Sequence, residues 1–193
     1  MKDNELWLIE QSRKGNVEAF EELIKEHKKS AYKIALRVLR NVEDAEDISQ
    51  EALIKVFKNI QNFNMQSTFK VWMYRIVVNA CLDFKRKKTI DAYSLDETIK
   101  FDGNNEVKKE IEDNTNNPDV MIEKNFDSKM VSDAVNKLDD DFKTIIILRD
   151  IKGFSYQEIS QILSCNLGTV KSRLSRARKN LKQIIEEEIK IQY

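Results

Sequence analysis

"SYQEISQILSCNLGTVKSRLSRARKNL", residues 155–181, is the stretch on which the C-terminal half of the chain turns. Ser155 and Glu158 stand at the spacing of a capping box, in which the hydroxyl accepts from the N3 backbone N–H and the carboxylate accepts from the cap's own N–H. Ile159, Ile162 and Leu163 then supply a short apolar face. Ser164, Cys165 and Asn166 interrupt that period, and Asn166 is suited to cap a second helix. Val170 and Leu174, at i and i+4, fold the second helix back onto the first. Gly168 either permits a close backbone approach or is merely tolerated so early in a helix.

With Val170 and Leu174 turned inward, Thr169, Lys171, Ser172, Arg173, Ser175, Arg176 and Lys179 fall on other faces. Between Asn166 and Lys182 there are six basic residues and no acidic one. Two short helices joined by a tight turn can set the second in a DNA major groove. There Arg and Lys suit guanine O6 and N7, and Ser or Thr suits phosphates or base edges. A charge run alone more commonly marks a solvated helix face. The capping box, the turn and the one-sided charge together favour a helix-turn-helix that reads DNA.

The surrounding composition bounds the rest. The 193 residues suit one domain or two small ones. Hydrophobic residues make up 41% and charged residues 34%, well above the usual quarter, while four Gly and one Pro suit a largely helical chain. The formal net charge is +0, so any affinity for nucleic acid has to come from how charge is distributed. No stretch approaches the ~20 apolar residues of a membrane span, and the N-terminus lacks the apolar segment of a signal peptide. Cytoplasm is the expected compartment. Cys81 and Cys165 lie far apart with no CxxC or HxxxC pair, which argues against both a disulfide framework and a zinc site. Cys165 reads as a buried, inert thiol, with an oxidant-sensing role left open.

Residues 4 to 88 read as a run of helices. Leu6, Ile9 and Gln11 open a short one, broken at Gly15-Asn16, and Asn16 caps the next. In that helix Ala19, Phe20, Leu23, Ile24 and His27, then Ala31, Ile34, Ala35, Val38 and Leu39, recur at helical spacing, and Asn41 ends it. A third helix carries the stripe Ala45, Ile48, Ala52, Leu53, Val56, Phe57 and Ile60, and a fourth is predicted from about Phe69 to Lys88. Residues 89–125 turn polar and acidic, hold Pro118 and show no sustained period. They read as a flexible linker, with a transient helix near Val107–Ile111. Helical period returns from Asp127. Its expected core comprises Val131, Val135, Leu138, Phe142, Ile145, Ile146, Leu148, Phe154, Ile159, Leu163, Val170, Leu174 and Leu181. The expected fold is all-α: two small helical domains, 1–88 and 126–193, joined by the acidic linker.

Two further stretches admit more than one reading. "FKVWMYRIVVNACLDFKRKK" interleaves Phe69, Trp72, Tyr74 and Phe84 with Lys70, Arg75 and a terminal basic run, as a platform for single-stranded nucleic acid would. Trp72, Ile76, Ala80 and Phe84 also fall on helical spacing, which favours core packing. Asn79, polar among apolar neighbours, is either a satisfied structural amide or a base reader. "EDAEDISQE", residues 43–51, concentrates carboxylates at a helix start, where the macrodipole favours them. Asp44, Asp47 and Glu51 also share one face, which a protein partner could use.

Taken in order, these pieces resemble the bacterial extracytoplasmic-function (ECF) sigma factors, the minimal group with only regions 2 and 4. "DAEDISQEALIKVF" looks like region 2.2, "FKVWMYRIVVNACLDFKRKK" like regions 2.3 and 2.4, and "LDDDFKTIIILRDIKGFSYQEISQILSCNLGTVKSRLSRARKNL" like region 4. The resemblance implies a transcription initiation factor that binds core RNA polymerase, recognises −10 and −35 promoter elements and stabilises the melted strand. It implies polymerase contacts at Asp44, Asp47, Gln50 and Glu51. It assigns −10 contacts to Asn64, Met65, Gln66, Ser67, Thr68, Trp72, Arg75 and Asn79, and −35 contacts to Thr169, Lys171, Ser172, Arg173 and Arg176. It also implies an anti-sigma factor as a partner, a class often anchored in a membrane. No cofactor, metal or catalytic residue is implied. The linker would thread the polymerase's RNA-exit path.

The chain departs from the family's habits where Ser164 replaces a common Gly in the turn and Asn166 a common Pro. "LDDDF" replaces a Pro-containing cap, a place that Asp139 or Asp140 can fill. Two other classes fit the sequence less well. A conventional helix-turn-helix regulator would carry a receiver or ligand domain, yet the N-terminal half shows no alternating strands. A nuclease or metalloprotein would have to use the acidic run or His27, the single histidine. No GxxxxGK[ST] loop is present either.

Overall fold

The computed structural model describes residues 2–96 and 129–192. Helices α1 (Lys2–Arg13), α2 (Val17–Leu39), α3 (Val42–Asn59) and α4 (Phe69–Asp96) form an N-terminal bundle. Helix α5, over 129–137, packs in a C-terminal bundle with α6 (Asp140–Ile146), α7 (Tyr156–Ile162) and α8 (Leu167–Gln192). The described residues contain no strand. No described helix is long and apolar enough to cross a membrane.

Side chains that meet unpaired backbone groups set most of the boundaries. Asn16 Oδ1 accepts from the Ala19 amide and Asn41 Oδ1 from the Asp44 amide, each at 2.8 Å. Asn41 therefore starts α3 instead of ending α2. Arg40, in the left-handed conformation at φ 63°, terminates α2. Ser155 and Glu158 form the capping box, with the hydroxyl accepting at 3.2 Å and the carboxylate at 2.7 Å. Asp139 precedes α6 but makes no capping bond, so that helix start lacks the side-chain partner expected of it.

Helix α4 continues to Asp96, past the expected end at Lys88, because no Gly or Pro interrupts residues 89–96. The remainder of the linker, with Pro118 and the helix expected near Val107–Ile111, lies outside the described residues.

The stripes of α2 and α3 pack together as expected, with Ala31, Ile34, Ala35, Ala45, Ala52 and Val56 excluded from solvent. On α4 the deepest row is Met73, Tyr74, Val77, Val78 and Cys81. Trp72, Ile76, Ala80 and Phe84 are half-buried beside it, so the expected core face is rotated by a fraction of a turn. In the C-terminal bundle most of the expected core is buried or packed against it, but Val131 is 42% exposed. It sits in the first described turn of α5, one turn before the buried Ala134 and Val135.

The bundles meet along α4, which packs against α2 and α3 and also against α7. Phe154, just before α7, sets its ring edge-on to Tyr74 at 5.3 Å between centroids.

Removing the capping hydroxyl by Ser155→Ala should lower stability by about 1 kcal/mol. Chemical denaturation of the full chain measures it. An unchanged denaturation midpoint would mean that the hydroxyl does not hold the start of α7.

Candidate nucleic-acid interface

Val170, Leu174 and Ala177 are buried, so α8 lies with one side in the C-terminal core and the opposite side outward. Asn166 caps it, accepting from the Thr169 amide at 2.8 Å and from the Thr169 hydroxyl at 2.9 Å. Ser164 holds the turn at φ 52°, the left-handed geometry for which Gly is the easier residue. Gly168 has an ordinary helical φ, and an added Cβ would meet only Asn166 Oδ1 at 3.4 Å. It is tolerated, with no close approach to serve.

The sequence-predicted −35 residues share the outward side but differ in freedom. Lys171, Ser172 and Arg176 are exposed, while Thr169 and Arg173 are half-buried. Arg173 reaches Asp141 at 3.5 Å, and Ser172 donates to the Thr169 carbonyl at 3.1 Å. Arg178 is held by both Asp150 oxygens, at 3.2 and 2.5 Å. Among the described residues Lys171, Arg176 and Lys179 have no carboxylate partner. Arg149, not singled out in the sequence, stacks on Tyr156 at 4.9 Å and donates to the Phe154 carbonyl at 2.8 Å, fixing the loop into α7.

In the N-terminal bundle, residues 64–68 form a loop pinned at both ends by buried aromatics. Phe63 and Phe69 are 3% and 2% exposed, and both rings lie against Trp72, at 5.2 and 6.0 Å. Arg13 crosses from α1 to donate to the carbonyls of Ile60 and Phe63. Asn64 Oδ1 accepts from the Gln66 amide, and Met65, exposed at the tip, is left-handed at φ 59°.

Thr68 caps α4, its hydroxyl accepting from the Val71 amide at 3.3 Å. From there Thr68, Trp72, Arg75 and Asn79 follow at i, i+4, i+7 and i+11, a single row along the helix. Trp72 is half-buried, and Arg75 and Asn79 are exposed. The loop and the row are therefore brought together. Tyr74, by contrast, is buried, and burial raises its pKa, with an opposing hydrogen bond from Ser30.

The acidic face is less uniform than its spacing suggests. Asp47, Gln50 and Glu51 are exposed on α3, with Glu51 bonded to Lys55 at 2.8 Å. Asp44 is half-buried and tied to Lys88 of α4 at 3.0 Å, which makes it a brace between helices. No group of three or more His, Cys, Asp or Glu among the described residues could hold a metal ion. Cys81 is buried, and burial pushes its thiol up to about 12.

Comparison with known proteins bears on both bundles at once. Residues 23–90 match the Sigma-70 region 2 family model and residues 128–181 the Sigma-70, region 4 model. The chain is 34% identical to the ECF RNA polymerase sigma factor SigW of Bacillus subtilis over 93% of its length and 95% of that protein. The chain belongs to the ECF RNA polymerase sigma factors.

It is 32% identical to the ECF RNA polymerase sigma-E factor of Escherichia coli K12, over 89% of this chain and 88% of that one. Among solved structures it is similar to the sigma factor RpoE of Bartonella quintana, in complex with the anti-sigma factor NepR. There the TM-score is 0.68 at 26% identity, covering 86% of this chain and 96% of that chain. CnrH, in complex with the cytosolic domain of CnrY, shares the fold at a TM-score of 0.66 and 20% identity, over 96% and 99% of the two chains. This sigma factor is therefore a transcription initiation factor that directs RNA polymerase to promoters.

The position of Arg13 beneath the loop yields a direct test. Arg13→Ala removes a charged donor from two carbonyls and should cost about 1.5–3 kcal/mol. Urea denaturation reads the loss, and a change in Trp72 emission locates it at the loop.

Proposed function

We propose that this sigma factor reads its promoter with two separate faces on two working domains, 1–88 and 126–193. The outward side of α8 binds the −35 duplex: Lys171, Ser172, Arg173 and Arg176 reach into the major groove and Thr169 lies near the phosphates. The loop Asn64–Thr68 and the row Trp72, Arg75 and Asn79 take the −10 element as a single strand. Unstacked bases held against Trp72 and the loop stabilise the open complex, so melting is driven by binding energy and requires no catalysis by the factor. Asp47, Gln50 and Glu51 form the docking face for core polymerase, with Asp44 bracing it. The partner that restrains such a factor is an anti-sigma factor, as in the Bartonella complex, and its place of action is the cytoplasm.

The observation that carries this reading is the separation of roles on α8. Val170, Leu174 and Ala177 are buried, which leaves Lys171 and Arg176 exposed and without carboxylate partners among the described residues. Cations placed this way have their full charge available to DNA, and affinity for duplex should fall steeply with salt.

Run-off transcription with core polymerase on a pool of genomic promoter fragments tests the reading. Discrete transcripts that require this protein are expected, and sequence-specific duplex binding without any polymerase-dependent transcript would contradict it. Arg176→Ala should leave the fold intact and weaken −35 binding by about 1–3 kcal/mol. Val170→Asp buries a charge without a partner and should unfold the C-terminal bundle. A folded Val170→Asp protein, or an unfolded Arg176→Ala one, would invert the assigned faces of α8.

A further inference from the structure

The loop at 64–68 does little to fix its own shape. Positions 64–67 make no backbone–backbone hydrogen bond among the described residues. Inside the loop, Asn64 Oδ1 accepts from the Gln66 amide and the Ser67 hydroxyl donates to the Thr68 carbonyl, each at 3.3 Å and each exposed. Water competes with such bonds, so they hold the backbone weakly. Met65 at the tip keeps a left-handed backbone that its side chain disfavours. The conformation is therefore set at the two ends.

At the exit, Phe69 is buried and the Thr68 hydroxyl caps α4. At the entry, the short 3-10 turn Ile60–Asn62 leads to the buried Phe63, and the turn is gripped by α1. Arg13, the last residue of α1, donates from Nε to the Ile60 carbonyl at 3.5 Å and from Nη2 to the Phe63 carbonyl. Gln61 answers with its side-chain amide, which donates to the Arg13 carbonyl at 3.4 Å. The half-buried Arg13 thus spends its guanidinium on two backbone carbonyls. The Phe63 carbonyl lies in the peptide plane that leads into Asn64, and the Phe63 ring lies 5.2 Å from Trp72. One side chain consequently fixes the first bond of the loop and steadies the ring against which Trp72 packs. It comes from outside residues 23–90, the part of the chain that matches the region 2 model.

We infer that Arg13 is a positioning residue for −10 recognition: by holding the Phe63 carbonyl it sets the geometry in which the loop Asn64–Thr68 selects its base. The inference rests on the two-face reading above. Selection of a base needs side chains held within about 0.5 Å of the productive geometry, and this loop has no backbone ladder to supply that. Without Arg13 the Phe63–Asn64 peptide can rotate, and the loop then accepts wrong bases as well as the right one. Discrimination is lost before affinity. A purely electrostatic role would behave differently, since a cation near the strand strengthens binding to every sequence alike. Lysine keeps the charge but lacks the planar fork that reaches both carbonyls.

The test uses holoenzyme assembled from core polymerase and the full chain, on a promoter identified by run-off transcription. Open-complex formation is compared between the parent promoter and fragments with single substitutions at −10 or at −35. Arg13→Ala should lower discrimination at −10 by about tenfold and leave discrimination at −35 unchanged. Arg13→Lys should stay impaired, and Gln61→Ala should show a smaller loss of the same kind. Circular dichroism and urea denaturation confirm that each variant is folded under assay conditions. Gln66→Ala, in the loop itself, separates this inference from the reading beneath it. If Gln66→Ala leaves −10 discrimination intact, the two-face reading fails and takes the inference with it. If Gln66→Ala alters it while Arg13→Ala keeps the parental value, the inference alone fails. An equal loss at both elements in Arg13→Ala, or full recovery by Arg13→Lys, would likewise overturn it.

Discussion

Helix α4 has to satisfy three surroundings at once, and the rest of the structure follows from how its side chains are divided among them. Met73, Tyr74, Val77, Val78 and Cys81 fill the space against α2 and α3. Trp72, Arg75 and Asn79 run along the outward row beside the loop at 64–68. Tyr74 also meets Phe154 before α7, so the same buried ring belongs to the N-terminal core and to the contact between the bundles. Rotating α4 by one residue would bury Arg75 and break all three relations, because the helical repeat leaves no slack between adjacent faces.

Helix α8 solves a simpler version of the same problem. Burying Val170 and Leu174 contributes about 1.5–3 kcal/mol each and fixes the rotation of the whole helix. Its cations then project outward without having to be placed individually. The neighbouring carboxylates sort them further. Arg178 is neutralised by Asp150, whereas Lys171 and Arg176 have no carboxylate partner among the described residues. Recognition of an anionic polymer needs this second condition as much as the first, since a cation already paired gains little by exchanging partners.

What could be read from the sequence was what local chemistry sets. Ser155, Glu158, Asn16 and Asn166 act on amides within a few residues of themselves, and all four cap as their spacing indicates. The apolar stripes of α2, α3 and α8 were legible for the same reason. Contacts between distant positions left no such trace. Arg13 serves the carbonyl of Phe63, 50 positions away, and Lys152 meets Ser30 across 122 positions. Lys143 is 3% exposed although its residue type argues for the surface, and its ion-pair partner Asp140 also bonds Lys85 of the other bundle. Helix α4 runs past Lys88 into a polar stretch that reads as a loop, because a helix edge in water tolerates polar residues until a Gly or Pro intervenes. The spacing of Asp44, Asp47 and Glu51 showed a shared face but could not show that Lys88 occupies Asp44.

The central claim is that two faces of one chain hold two promoter elements simultaneously. It is tested most directly by placing a photo-crosslinking side chain at Ser175, beside the −35 face, and at Gln66, in the loop, and mapping adducts within the polymerase–promoter complex. The account predicts adducts from position 175 confined to duplex DNA near −35 and from position 66 confined to the displaced strand near −10, both on the same DNA molecules. Adducts from both positions within a single element, or from position 66 only on duplex, would contradict it.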